Sequence, residues 1–136
     1  MRFAYLTLDE VHEDLALELA ATCGVTLCPL APKDGPPDGR FDAVLIDWDS
    51  WPCQRRQEAL TELLSRPTPC PVAVHGYNLE DGQVKSLCHQ GVAIYGSLRP
   101  EMFRRLRRLV LARRAAEATG GGADDSQVLD RTGGAA

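Results

Sequence analysis

Apolar residues fall along this chain in two alternating patterns. "FAYLTL" (3–8), "VTLCPL" (25–30), "FDAVLID" (41–47), "CPVAVHGYN" (70–78) and "VAIYG" (92–96) are short, nearly continuous apolar runs of the length expected for buried strands. Between them the spacing changes to the helical period. In "EVHEDLALELAATCG" (10–24), Val11, Leu15, Leu19 and Cys23 recur every four residues with Ala16 and Ala20 beside them, which predicts one apolar stripe. Asp9 stands where a helix N-cap belongs, Glu10, Glu13 and Asp14 suit the positive end, and Gly24 suits the C-terminal turn.

The second helix is read in "SWPCQRRQEALTELLSRP", with Ala59, Leu60, Leu63 and Leu64 on one side and Pro67 barring continuation. A third, "LEDGQVKSLCHQG", is expected to be capped by Asn78, to bury Val84, Leu87 and Cys88, and to close at Gly91. The last begins near Pro100, a favourable first-turn residue, and runs to about Ala118 with Met102, Phe103, Leu106, Leu109 and Val110 inward.

Strands that alternate with amphipathic helices predict an α/β fold, a doubly wound parallel sheet of five strands in the order 2-1-3-4-5. One helix is missing. "APKDGPPDGR" (31–40) joins the second and third strands with three prolines, two Asp-Gly pairs and no periodicity, so a loop replaces the crossover helix. Ten residues reach about 33 Å when extended, enough to cross. The domain is therefore expected over residues 1–118, and the Gly-rich, aperiodic stretch 119–136 as a disordered tail.

Composition narrows the function. The chain has 136 residues, a formal net charge of −4 and a sequence pI near 5.3, which argues against general nucleic-acid binding. No apolar run is long enough to span a bilayer, and the first residues read as a strand and not a secretory signal. Five cysteines without a C-x-x-C pair disfavour a disulfide framework or structural zinc; four of them lie beside apolar periodic positions and are read as small buried hydrophobes, in a cytoplasmic protein. G-x-S-x-G, P-loop and G-x-G-x-x-G motifs are absent.

In an open parallel sheet the functional crevice lies beyond the C-terminal strand ends. Those ends carry Asp9 and Glu10, then Asp47 and Asp49, then His75, then Ser97. With the first and third strands adjacent, Asp9, Glu10 and Asp47 are expected to converge, and carboxylates so placed require protonation or a cation such as Mg²⁺. The competing reading makes Asp9 a helix cap and Asp47 a polar strand end. Trp48 and Trp51 are taken as loop residues flanking the acids and suited to an interface, with the packing of one of them over the pocket as the alternative. His12 and His89 are read as surface helix positions. "FRRLRRLVLARR" (103–114) sets Arg104, Arg105, Arg107 and Arg108 off the apolar stripe, either as a solvated face or as a docking surface.

The residues "FAYLTLDE", "FDAVLID", "PVAVHGYN" and "GVAIYGSLRPEMF" together resemble the receiver domain of response regulators over roughly residues 1–118. The resemblance implies that Asp9 and Glu10 match an acidic pair that binds Mg²⁺ and that Asp47 matches a phosphoacceptor served by a histidine kinase. Receivers also use a Ser/Thr and a Lys to sense the phosphate. Here His75, or Gly76, fills the first position, the Lys-Pro dipeptide is absent, and Ser97 and Arg99 are the nearest substitutes. The expectation is an atypical stand-alone receiver that is not an enzyme, has lost its phosphorylation switch and acts by contact. Its partners are a signalling protein (kinase or effector) or a second copy through the last helix, with no nucleic acid or membrane. The alternatives are a working receiver phosphorylated on Asp47 with Mg²⁺, and a small flavodoxin-like binding protein or enzyme.

Overall fold

The computed structural model describes residues 1–34, 37, 40–66, 70–77 and 79–120. Five parallel strands, β1 (Arg2–Leu6), β2 (Thr26–Leu30), β3 (Ala43–Asp47), β4 (Val72–His75) and β5 (Ile94–Gly96), form one sheet in the order β2-β1-β3-β4-β5. This is the predicted topology. Register places Phe3 opposite both Leu27 and Ala43, and Asp47 opposite His75.

Four helices cover the sheet: α1 (Glu10–Thr22), α2 (Cys53–Leu64), α3 (Asp81–Gln90) and α4 (Pro100–Gly120). The two-residue alternation of a strand divides the apolar side chains between the faces. Phe3 and Tyr5 of β1 turn toward a core with Ala16, Ala20, Phe103 and Leu106, while Ala4 and Leu6 turn toward one with Leu60, Leu63, Leu87 and both tryptophans. Thus α1 and α4 pack on one face, α2 and α3 on the other. Each fully buried leucine of these cores contributes about 1.5–3 kcal/mol relative to an exposed one. Between β2 and β3 the described residues hold only a single 3-10 turn, Pro32–Asp34, where a crossover helix was not expected. The expected tail lies largely outside the described residues, which reach Gly120 within α4.

Local chemistry moves several boundaries. The stripe of α1 is rotated by about one residue from the predicted one: His12, Ala16 and Ala20 are buried, whereas Val11 and Leu15 are exposed. Ala16 and Ala20 face the sheet, while Leu19 packs only at the margin of that core. The first strand ends before Thr7, and Leu8 is exposed. Helix α3 begins later than predicted because Glu80 and Gln83 form a reciprocal capping box; Asn78 lies outside the described residues. Cys23, Cys28 and Cys70 are partly buried and pack against the edges of the cores, as expected of small hydrophobes, whereas Cys88 is exposed, against that reading. All four are free thiols. Gly91 ends α3 in the left-handed region (φ 111°), as the sequence predicts for a terminal glycine.

Candidate functional site

The site is the C-terminal end of β3 and what surrounds it. Asp47 is the last residue of the central strand, and its side chain is wholly buried. A buried carboxylate is costly unless hydrogen-bond donors or positive charge replace its lost water. Here one oxygen is fully supplied. Oδ2 accepts from the Thr7 hydroxyl at 2.8 Å, from the Ser50 hydroxyl at 2.8 Å and from His12 Nδ1 at 2.7 Å. A carboxylate can only accept, so the proton of this pair lies on Nδ1 of His12.

Each donor is placed by short-range structure. Thr7 directly follows β1, the neighbour of β3, and its oxygen also accepts from the Asp9 amide at 3.1 Å. Ser50 sits in the turn after β3, where the Trp51 amide donates to the Asp47 carbonyl at 3.0 Å and Ser50 Oγ accepts from the Leu8 amide at 3.0 Å. His12 lies in the first turn of α1, whose N-cap Asp9 accepts from the amides of Val11 and His12. The cap therefore fixes the backbone from which the imidazole reaches Asp47. On its other side, His12 Nε2 pairs with the Tyr77 hydroxyl at 3.1 Å. Tyr77 is itself held through its amide, which donates to Asp49 Oδ2 at 2.7 Å.

The remaining carboxylate oxygen behaves differently. Asp47 Oδ1 is buried without a hydrogen-bond partner among the described residues, and His75 Nε2 stands 4.0 Å away. That nitrogen is engaged by the Tyr5 hydroxyl at 2.7 Å. Burial and the Asp47 charge push the Tyr5 phenol far above its usual range, so it keeps its proton. Burial pushes His75 down to about 4 despite the opposing pull of Asp47, so Tyr5 donates to a neutral ring. For Asp47, burial alone would raise the carboxyl. The hydrogen bonds from His12 and Ser50, the His75 ring and Thr7 outweigh it and hold Asp47 below its ordinary value. It remains ionised at neutral pH.

An open cleft of about 410 Å³ lies above this network, lined by Asp9, His12, Asp49, Ser50 and Tyr77. Trp48 and Trp51 do not contribute to it. Both are buried, in correction of their reading as interface residues. The turn after Asp47 folds the two indoles back onto the α2 side of the sheet, and the Arg56 guanidinium stacks 4.2 Å over the Trp48 ring while donating to the Trp48 carbonyl.

No family model and no curated protein matches the sequence. Solved structures do match in shape. A response regulator receiver protein from Pseudoalteromonas atlantica superposes with a TM-score of 0.64 at 10% identity, covering 84% of this chain and 99% of that one. The phosphorylated cyanobacterial phytochrome response regulator RcpA gives 0.57 at 16% identity, covering 91% and 98%. This chain has the receiver fold. The Mn²⁺-bound form of response regulator Rcp1 is similar as well, at 0.56 and 15% identity over 91% of this chain and 96% of that one.

Within the receiver fold, the other predicted residues are arranged as follows. Asp9 turns one oxygen to cap α1, and Glu10 is exposed on the first turn. Thr7, two residues earlier, is the one that meets Asp47. Of the three acids expected to converge, Glu10 stands apart and Asp9 approaches Asp47 only across the His12 ring, and no group of three His, Cys, Asp or Glu suited to a metal exists among the described residues. As these side chains stand they do not fit a divalent cation, which takes several oxygens at once. His75 occupies the strand-end position opposite Asp47, and the Gly76 amide donates to the Gly96 carbonyl. Ser97 and Arg99 are exposed and take no part in the bonding around Asp47. Arg104, Arg105, Arg107 and Arg108 are exposed on α4, with Arg104 and Arg108 near Glu101. No helix among the described residues is long and apolar enough to cross a membrane.

Sequence reasoning missed Thr7, His12, Ser50, Tyr5 and Tyr77. The one usable signal was His12 in line with Ala16 and Ala20 at four-residue spacing, a series that marks the buried face as well as the leucine series does.

Proposed function

We propose that the chain is an atypical receiver-like interaction module of cytoplasmic two-component-type signalling, one that acts by contact and not through phosphotransfer on Asp47. The observation that carries this reading is the state of the Asp47 carboxylate. It is fully buried, and Oδ2 is closed by Thr7, Ser50 and His12. A phosphoryl acceptor has to present a carboxylate oxygen to an incoming phosphorus, usually with a cation to neutralise the charge that builds up. Here the donors that would otherwise stabilise such charge are already spent on the resting carboxylate.

A conformational switch also needs groups that bind the two states of the acceptor unequally. His75 is neutral and committed to Tyr5, while Ser97 and Arg99 face solvent. The contact surface in this reading is the basic side of α4, with Arg104, Arg105, Arg107 and Arg108, and it suits an acidic signalling partner or a second copy. One observation favours the alternative of a working receiver: Asp47 Oδ1 has no hydrogen-bond partner among the described residues. Its burial weighs against it.

Capture of partners from a cytoplasmic extract tests the proposal, using the chain with and without prior exposure to a small phosphoryl donor and Mg²⁺. The same partners are expected either way. Partners gained or lost only after treatment would contradict it.

A further inference from the structure

The carboxylates of Asp9 and Asp47 both approach one ring nitrogen of this site. His12 Nδ1 is 2.7 Å from Asp47 Oδ2 and 3.8 Å from Asp9 Oδ2. The ring is buried, and its backbone is pinned because the amide of His12 donates to the other oxygen of Asp9 at 3.0 Å. The imidazole cannot leave without breaking its bonds to Asp47 and to Tyr77. Resting on the reading that Asp47 is not a phosphoryl acceptor, we propose that His12 is a resident replacement for a divalent cation at Asp47, and that it ties the buried carboxylate to the exposed Tyr77 at the cleft rim.

The geometry separates this from an ordinary buried histidine. A structural histidine satisfies its own nitrogens. This one also supplies the shortest of the three donors to a carboxylate oxygen that lies beyond the reach of water. Without the ring, Asp47 would lose its shortest donor, and the space vacated beside the cleft that Asp9, Asp49 and Ser50 line would let a cation reach the carboxylate. With the ring in place that space is closed.

The test is cation-dependent thermal stability of the full chain, read in millimolar MnCl₂ and without it. The unmodified chain is expected to show the same Tm in both. His12→Ala should have a lower Tm and recover about 4 °C with Mn²⁺, a gain of the size that ligand linkage gives for occupancy several-fold above Kd. That recovery should vanish when Asp47→Asn is added. His12→Asn, whose side-chain N–H₂ stands at the reach of Nδ1, should be indifferent to Mn²⁺. Should His12→Ala fail to fold, loss of the free Mn²⁺ paramagnetic resonance signal decides the matter on the unmodified chain. Absence of saturable binding supports the proposal; saturable binding abolished by Asp47→Asn overturns it. A His12→Ala chain that folds and ignores Mn²⁺ overturns it too. Phosphorylation of Asp47 by a small donor without Mn²⁺ retention would sink the reading of the acceptor while leaving His12 in its assigned place.

Discussion

Asp47→Asn should destabilise this protein, and the sign of that change is informative. Where several carboxylates crowd one pocket, removing a charge relieves repulsion and raises stability. Around Asp47 the neighbours are donors instead, three of them on a single oxygen at 2.7–2.8 Å. A hydrogen bond to a charged acceptor is worth about 1.5–3 kcal/mol and a neutral one about 0.5–1.5, so neutralising the acceptor costs about 1 kcal/mol per bond. The amide would also place an N–H₂ at the Oδ1 position, where the nearby His75 Nε2 is already taken by Tyr5. Relief from burying a charge offsets part of the loss. The net expectation is about 2 kcal/mol, or roughly a 7 °C fall in Tm for a domain of this size, measured by thermal and urea unfolding at pH 7. The pH dependence follows from the depressed carboxyl. Its folded value lies below the ordinary 3.8, so its stabilisation is fully present above that pH and is lost as pH falls toward the folded value. The deficit of Asp47→Asn should therefore be constant between about pH 5 and 8 and should close in stronger acid. An Asp47→Asn chain as stable as the parent, or more so, would refute the donor-network account.

Three further outcomes follow from the same structure. His75 is pushed down to about 4 and so takes up its proton more readily when unfolded; stability should fall by about 3 kcal/mol as pH drops from 6.5 to 4, and His75→Gln should flatten that slope in pH-dependent denaturation. Trp48→Ala and Trp51→Ala should each cost about 3–5 kcal/mol because both rings are buried, measured by urea unfolding, and their losses in binding should track lost folding. Reversing charge at Arg104, Arg105, Arg107 and Arg108 should leave unfolding within about 1 kcal/mol of the parent, since all four are exposed. The same variant should weaken partner capture or self-association in sedimentation.

The sheet was legible because its three central strands are buried on both faces. Continuous apolar runs such as Ala43–Ile46 have one reading in a chain that also carries helical stripes, and right-handed crossover then leaves few strand orders. Side-chain size limited the reading of α1: two equivalent four-residue series ran along it, and hydropathy favoured Val11 and Leu15 although the small Ala16 and Ala20 make the close contact. The site slipped for a related reason. "FAYLTLDE" offers Asp9 and Glu10 as the evident chemistry, but the strand stops at Leu6, which brings Thr7 to Asp47 and turns Asp9 into the cap of α1. A hydroxyl in an apolar strand announces little, whereas an acid after one announces much. The tryptophans failed differently. Their burial depends on a turn after Asp47 that returns them to the α2 face, a tertiary arrangement that local pattern does not encode.

Asp47 is proposed as a structural carboxylate enclosed by donors and not as an acceptor of phosphoryl groups. Intact-mass spectrometry after incubation with a small phosphoryl donor and Mg²⁺ addresses this proposal most directly. The account predicts no stable gain of mass. A Mg²⁺-dependent gain of one phosphoryl group that disappears in Asp47→Asn, shown by its circular dichroism to be folded, would contradict it.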